Sequence, residues 1–301
     1  MPWLLFNALV VALLVLDLGL VHRHPRVIRL REALVECLLW ISLAATFGLF
    51  LYFWRGRASA LEFTTGYLVE ESLSADNLFV FLMIFRYFQV PQPYRHKVLF
   101  WGILGALVLR GTFILAGIGL LRKLHWLVYG FGIFLVYKGA HFVFAGATAV
   151  QPERNPVLRL FRRWFPVTAE YEGDRFFVRR GGWHATPLLL VLLLVETSDV
   201  LFATDSVPAV LAITRQPFIA YTSNVFAILG LRALYFALAG MIERFAYLHY
   251  GLALILILIG AKMLFSDYYV LPTGLTLGLV AVILALSILL SLPLSKPSPP
   301  A

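Results

Sequence analysis

Two stretches of this chain place carboxyl groups inside otherwise apolar runs. In VEESLSADNLFVF (69–81) these are Glu70, Glu71 and Asp76; in LLVETSDVLFATDSVP (193–208) they are Glu196, Asp199 and Asp205. An ionised carboxylate left alone at mid-bilayer costs about 3 kcal/mol on insertion scales, so each acid needs a cation, a base or a proton to offset it. Glu70 and Asp76 have the same acid-x5-Asp spacing as Asp199 and Asp205, and Asn77 and Ser206 follow directly. With the Ser74 and Thr204 hydroxyls nearby, every potential ligand is an oxygen. Hard divalent cations favour such sets, whereas zinc and copper recruit His or Cys. Only His141 of the seven histidines lies well inside an apolar run, and the single cysteine, Cys37, excludes an internal disulfide or thiolate cluster. Mn²⁺, Ca²⁺ and Mg²⁺ lead together as the ligand, and no organic cofactor is expected.

Six residues of continuous helix advance about 9 Å and leave the two acids of a motif about 120° apart, so one unbroken helix cannot clasp an ion between them. Either each helix is interrupted, at the polar Ser72–Ser74 stretch and near Pro208, or acids from the two segments converge. Antiparallel helices crossing near their middles would put Glu70 at the depth of Asp205 and Asp76 at that of Asp199. A combination of interruption and convergence is expected.

Charge counting gives the same direction. Glu70, Glu71, Asp76, Glu196, Asp199 and Asp205 face four bases within the apolar runs, Arg110, Arg232, Lys138 and Lys262, and the deficit equals one divalent cation. Protons can also neutralise these acids, which makes proton-for-metal exchange the natural coupling. The plainer alternative is a network of buried ion pairs, and Arg110 and Arg232 are read first as charge-balancing. Lys138, Lys262 and His141 either snorkel or pair. Glu71 and Glu196 have no equivalent in the other motif and rank as secondary.

The elements that must carry these residues are membrane helices. The 301-residue chain is 61% hydrophobic and 14% charged, and a run of about 20 apolar residues suffices to cross a bilayer. Such runs fall at 2–21, 33–53, 58–85, 97–121, 124–146, 186–214, 217–241, 247–266 and 271–294. The prediction is an all-α polytopic bundle of about nine transmembrane helices. The +9 charge is explained by the positive-inside rule rather than by nucleic acid. With the N-terminus outside and the C-terminus cytoplasmic, the inner loops collect Arg23, Arg26, Arg29, Arg31, Arg86, Arg95, Lys97 and the seven arginines of 154–180.

Two groups of three runs resemble each other. LRKLHWLVYG (121–130) aligns with IERFAYLHYG (242–251) and KGAHFVF (138–144) with IGAKMLF (259–265) at one constant offset; LVLRGTF (107–113) matches LGLRALY (229–235), superposing Arg110 on Arg232. Three spans per copy turn the second copy over, the plan of transporters that bind cargo where two inverted halves meet. The organisation expected is two N-terminal helices (1–57), a first three-helix repeat (58–146), a basic cytoplasmic loop (147–185), a second repeat (186–266), and a last helix with a disordered Pro-rich tail (267–301). Within the loop, NPVLRLFRRWFP reads as an interfacial helix and YEGDRFFVRR as a hairpin around Gly173.

The segments EESLSADNLFVF, YRHKVLFWGILGALVLRG, FFVRRGGWHATPLLLVLLLVETSDVLFATDSVPAVLAITRQPFIAYTSNVFAILGLRALYF and ERFAYLHYGLALILILIGAKML resemble the TerC family of integral membrane proteins. The resemblance implies a multi-span protein of a bacterial-type inner membrane, associated with manganese efflux. It carries the acidic roles onto Glu70, Asp76, Asp199 and Asp205, with Asn77 and Ser206 adjacent. Ser198 departs from the Thr-Asp pairing expected before the second motif. The tellurium resistance in the family name does not suit the site directly, since an oxyanion does not seek carboxylates.

The function expected is proton-coupled export of a divalent cation, with the cation and membrane lipids as partners. The competing class is a non-transporting assembly or scaffold protein whose buried charges hold the bundle while loop residues Arg162 and Arg163 recruit partners. Enzyme activity is not expected, because no nucleophile–base pair or phosphate loop is present. The oligomeric state is left open.

Overall fold

The computed structural model describes residues 2–16, 30–124, 126–145, 155–239, 247–269 and 271–291, and omits the side chains of 76, 144, 145 and 248. The helices are α1 (Pro2–Leu16), α2 (Leu30–Arg55), α3 (Arg57–Tyr87), α4 (Gln92–Lys123), α5 (Leu127–Ala145), α6 (Pro156–Trp164), α7 (Pro187–Ile213), α8 (Pro217–Ala239), α9 (Leu248–Leu264) and α10 (Thr273–Ser291), with strands β1 (Phe177–Arg179) and β2 (Trp183–Ala185) between α6 and α7. All nine apolar runs become helices, which is what hydrocarbon demands of a backbone that must satisfy its own hydrogen bonds. Five of them, α2, α4, α7, α8 and α10, are long and apolar enough to cross a membrane; α1, α5 and α9 are apolar but shorter. The 31-residue α3 has the length, but its motif acids and terminal arginines dilute its hydropathy. The Pro-rich tail and the start of the long loop lie outside the described residues.

The expected helix interruptions are absent. α3 runs unbroken through both motif acids and α7 runs through Pro208 to Ile213. Near the expected break points two hydroxyls bond back within their own helices: Ser72 Oγ donates to the Leu68 carbonyl at 2.5 Å and Thr204 Oγ1 to that of Leu201 at 2.5 Å. Such back-bonding satisfies a hydroxyl inside a helix with only slight distortion. Pro208 removes the amide that would bond the Thr204 carbonyl, next to Asp205, without ending the helix.

The packing has an internal exchange symmetry. If α3, α4 and α5 are swapped with α7, α8 and α9, the contact of α3 with α8 becomes that of α7 with α4. The α5–α9, α3–α7 and α4–α8 contacts map onto themselves, and all of these pairs are observed. The symmetry reaches single atoms where α5 meets α9. A Cβ on Gly139 would lie 2.6 Å from the Ala253 carbonyl and 3.1 Å from the Ile257 amide; one on Gly260 would lie 2.8 Å from the Gly132 carbonyl and 2.9 Å from the Val136 amide. These residues are equivalent at the constant offset seen in the sequence, and the absent side chains let the backbones touch, as small residues do in membrane bundles.

The loop before α7 is ordered where described. Asn155 caps α6, accepting from the amides of Val157 at 2.9 Å and Leu158 at 3.2 Å. The hairpin turns at Gly181, with φ of 71°, not around Gly173: β1 pairs with β2 from Phe177–Ala185 to Arg179–Trp183. Gly173 also has positive φ, 59°, but the residues before it form no strand, so two glycine turns competed for one sequence signal. Thr186 Oγ1 donates to the Arg175 carbonyl at 2.6 Å and the Tyr171 hydroxyl to that of Phe88 at 2.7 Å, tying the hairpin to the feet of α7 and α3.

Candidate functional site

Glu70 on α3, Arg110 on α4, Asp199 on α7 and Asn224 on α8 meet at the centre of the bundle, each 3% exposed or less. The Arg110 guanidinium pairs with Glu70 through Nη1 and with Asp199 Oδ1 through Nη2 at 3.2 Å. It also donates to Asn224 Oδ1 at 3.2 Å, and Asn224 Nδ2 donates to Glu70 Oε2 at 3.1 Å. With its amide oriented to satisfy both ends, Asn77 accepts from Arg110 Nη2 at 3.3 Å and donates to the Leu73 carbonyl at 3.1 Å. The helical Arg side chain leans toward its own N-terminus, which aims it down α4 at these acids. One acid from each motif thus shares a single base.

Asp205 is held separately. Lys138 on α5 lies 3.3 Å from it, and Thr204 Oγ1 lies 3.4 Å from its Oδ1. Asp205 and Asn77 both line a cavity of about 20 Å³, closed by Leu73, Phe142, Phe202, Leu252 and Leu256, roughly the room one water or small ion needs. The Asp76 position is on α3, but its side chain lies outside the described residues. Asp199 Oδ2 and the Ser74 and Ser206 hydroxyls, on α7 and α3, are buried with no hydrogen-bond partner among the described residues.

The remaining sequence candidates are dispersed. Arg232, the counterpart of Arg110, lies 3.2 Å from His96 Nε2 and 3.6 Å from Glu36 on α2. Glu196 rests on α4 at Gly105, where no Cβ obstructs its carboxylate, and Glu71 faces α8, its Oε1 3.8 Å from where a Gly230 Cβ would be. His141 is exposed and stacks on Tyr137 with ring centroids 6.0 Å apart. Lys262 lines a different cavity, of about 360 Å³, with Glu62, Arg215 and Tyr269. There Glu62 accepts from Thr214 Oγ1 at 2.5 Å and Gln216 Nε2 at 3.3 Å.

Among the described residues no three of His, Cys, Asp and Glu close on one metal-sized point. Arg110 stands between Glu70 and Asp199, and Lys138 lies beside Asp205. Sequence reasoning missed Asn224, although the polar triplet Thr222, Ser223 and Asn224, fully buried in an apolar span, was a readable signal.

The family model described as "Integral membrane protein TerC family" matches residues 55–298. The chain is 47% identical over 298 residues to "Uncharacterized membrane protein STKORF319" of Myxococcus xanthus, covering 99% of this chain and 93% of the relative. It is 44% identical over 299 residues to the "Putative membrane-bound redox modulator Alx" of Escherichia coli K12, covering 96% and 93%. Identity to an "Uncharacterized membrane protein" of Rickettsia bellii is 40% over 292 residues, covering 97% of each. No solved structure matches.

Proposed function

The chain belongs to the TerC family of integral membrane proteins, and from that premise we propose that it exports a divalent cation, Mn²⁺ first, by proton-coupled alternating access. The carrying observation is the meeting of Glu70 and Asp199, the leading acids of two equivalent motifs, at one buried point between α3, α4, α7 and α8. Among the described residues Asp199 Oδ2 is unpartnered there, and the Ser74 and Ser206 hydroxyls on the same two helices are further buried, unpartnered oxygens, the hard donors that Mn²⁺, Ca²⁺ and Mg²⁺ share. In the cycle, Glu70, Asp76, Asp199 and Asp205, with Asn77 and Ser206, take a partly dehydrated ion from the cytoplasm. The two halves rock, and protons entering from outside release it. We place the protein in a bacterial-type inner membrane with its N-terminus outside, which puts α6 and the arginine-rich hairpin on the cytoplasmic face. No enzymatic step is assigned.

The redox role in the name of the Alx relatives reaches this chain only indirectly in this reading. One cysteine cannot form a dithiol pair within the chain, and Cys37 lies on α2. A tellurite effect would likewise run through metal balance.

A second reading has its own observation. Each described motif acid that meets a base is paired, Glu70 and Asp199 to Arg110 and Asp205 to Lys138, as a bundle held by internal ion pairs requires. Purified protein in liposomes separates the two: transport predicts Mn²⁺ movement driven by an imposed pH gradient, abolished in Asp76→Asn/Asp205→Asn. Equal movement by that variant refutes the site. No movement by folded wild-type protein, with function lost on replacing Arg162 and Arg163, supports the scaffold.

A further inference from the structure

Arg110 occupies the place a bound cation would take. Its guanidinium lies between one carboxylate of each motif and is 2% exposed. A purely structural pair would use up both oxygens of its carboxylates, yet Asp199 Oδ2 is buried without a partner among the described residues. The guanidinium also has an acceptor to fall back on, Asn224 Oδ1 at 3.2 Å. The equivalent Arg232 is employed elsewhere, against His96 and Glu36. The repeats therefore deliver one base, not two, to the shared acids.

We infer that Arg110 is a tethered substitute for the transported cation. It neutralises Glu70 and Asp199 in the metal-free carrier and is displaced onto Asn224 when a divalent ion takes the carboxylates. This rests on the transport reading and specifies its return step. Net export requires the empty carrier to turn back through the low-dielectric bundle, and two bare carboxylates would oppose that turn, because unpaired buried charge is strongly unfavourable. Metal-for-metal exchange crosses loaded in both directions and does without the guanidinium. Protons then serve the acids beyond this trio.

The test measures radiolabelled Mn²⁺ in liposomes carrying the full chain, in two modes: net efflux into Mn²⁺-free buffer, and exchange against equal unlabelled Mn²⁺. In Arg110→Gln, exchange should persist while net efflux falls about a hundredfold relative to it, the order of population penalty for a carrier with uncompensated buried charge. Arg232→Gln should leave the ratio of the two fluxes at the wild-type value. An Arg110→Gln protein in which both fluxes fall together, or neither falls, overturns the inference. If that variant does not accumulate, Arg110→Gln/Asp199→Asn is compared with Asp199→Asn alone; a lower net-to-exchange ratio in the double variant supports the tether and equal ratios overturn it. A wild-type protein inactive in both modes sinks the transport reading itself, and the inference with it.

Discussion

The α5–α9 contact makes a quantitative demand on stability. Gly139→Ala would bring a methyl carbon to 2.6 Å from the Ala253 carbonyl, and Gly260→Ala one to 2.8 Å from the Gly132 carbonyl. In both cases the obstacle is backbone on the facing helix, so no side chain can rotate away and the helices must part by roughly half an ångström. Overpacking of this kind costs about 1–3 kcal/mol. For a chain of this size that corresponds to a melting temperature lower by about 2–5 °C. Because the two sites are equivalent under exchange of the halves, their losses should match within about 0.5 kcal/mol, and the double variant, with both contacts on one interface, should depart from additivity.

Gly119 and Gly278 are the controls: a Cβ at either meets nothing within 4 Å, and Ala there should stabilise by up to about 1 kcal/mol through helix propensity alone. Thermal unfolding in one detergent, followed by fluorescence-detected size exclusion, ranks all four variants. If Gly139→Ala destabilises while Gly260→Ala does not, or if both behave like the controls, the reciprocal close approach of α5 and α9 is wrong, and the exchange symmetry loses its most detailed support.

Two further expectations concern the centre and its cytoplasmic strut. Asn224→Leu removes hydrogen bonds to both Arg110 and Glu70. Bonds to charged partners are worth about 1.5–3 kcal/mol in soluble proteins and less in membrane bundles, so a loss of about 2 kcal/mol is expected by thermal unfolding. Asn224→Asp, which puts a second anion beside Glu70, should be worse, and a neutral Asn224→Leu would refute the bridging role. Tyr171→Phe removes the hydroxyl bond to Phe88 at a cost of about 1 kcal/mol. Burial pushes the Tyr171 phenol up to about 12. A raised value means the folded state favours the neutral phenol. Its contribution is therefore constant below pH ~10, the ordinary tyrosine value, and lost as pH rises toward 12. The difference in stability between wild type and Tyr171→Phe should accordingly be flat from neutral pH to about 9.5, and a difference that changes with pH in that range would refute the assignment.

How much of this was legible depended on whether a residue's reason lies in its own segment or across from it. The motif acids were readable because charge inside an apolar run is anomalous by itself, and the spans were readable because hydrocarbon leaves the backbone few options. α6 announced itself through Asn155 ahead of Pro156 and an alternation of Arg with Leu and Phe. The absence of the supposed helix breaks was not deducible: the Ser72–Ser74 stretch looks like an interruption until the Ser72 hydroxyl is seen on a carbonyl of its own helix, and Pro208 does until α7 is seen to continue to Ile213. Asn224 lacked charge and so drew no attention, although it bonds two of the three ions at the centre.

The repeat shows the same division at its sharpest. Sequence alignment superposes Arg110 on Arg232, which invites the same role for both, but symmetry of the fold does not carry over to the partners. α2, which has no counterpart in the other half, brings Glu36 to Arg232, while Arg110 is left to face Glu70 and Asp199. A strictly symmetric bundle would hold one base for each acid and no reason for either to yield. Recruiting one arginine to an added helix leaves two carboxylates to share one positive charge, and the proposed displacement by a doubly charged ion rests on that asymmetry.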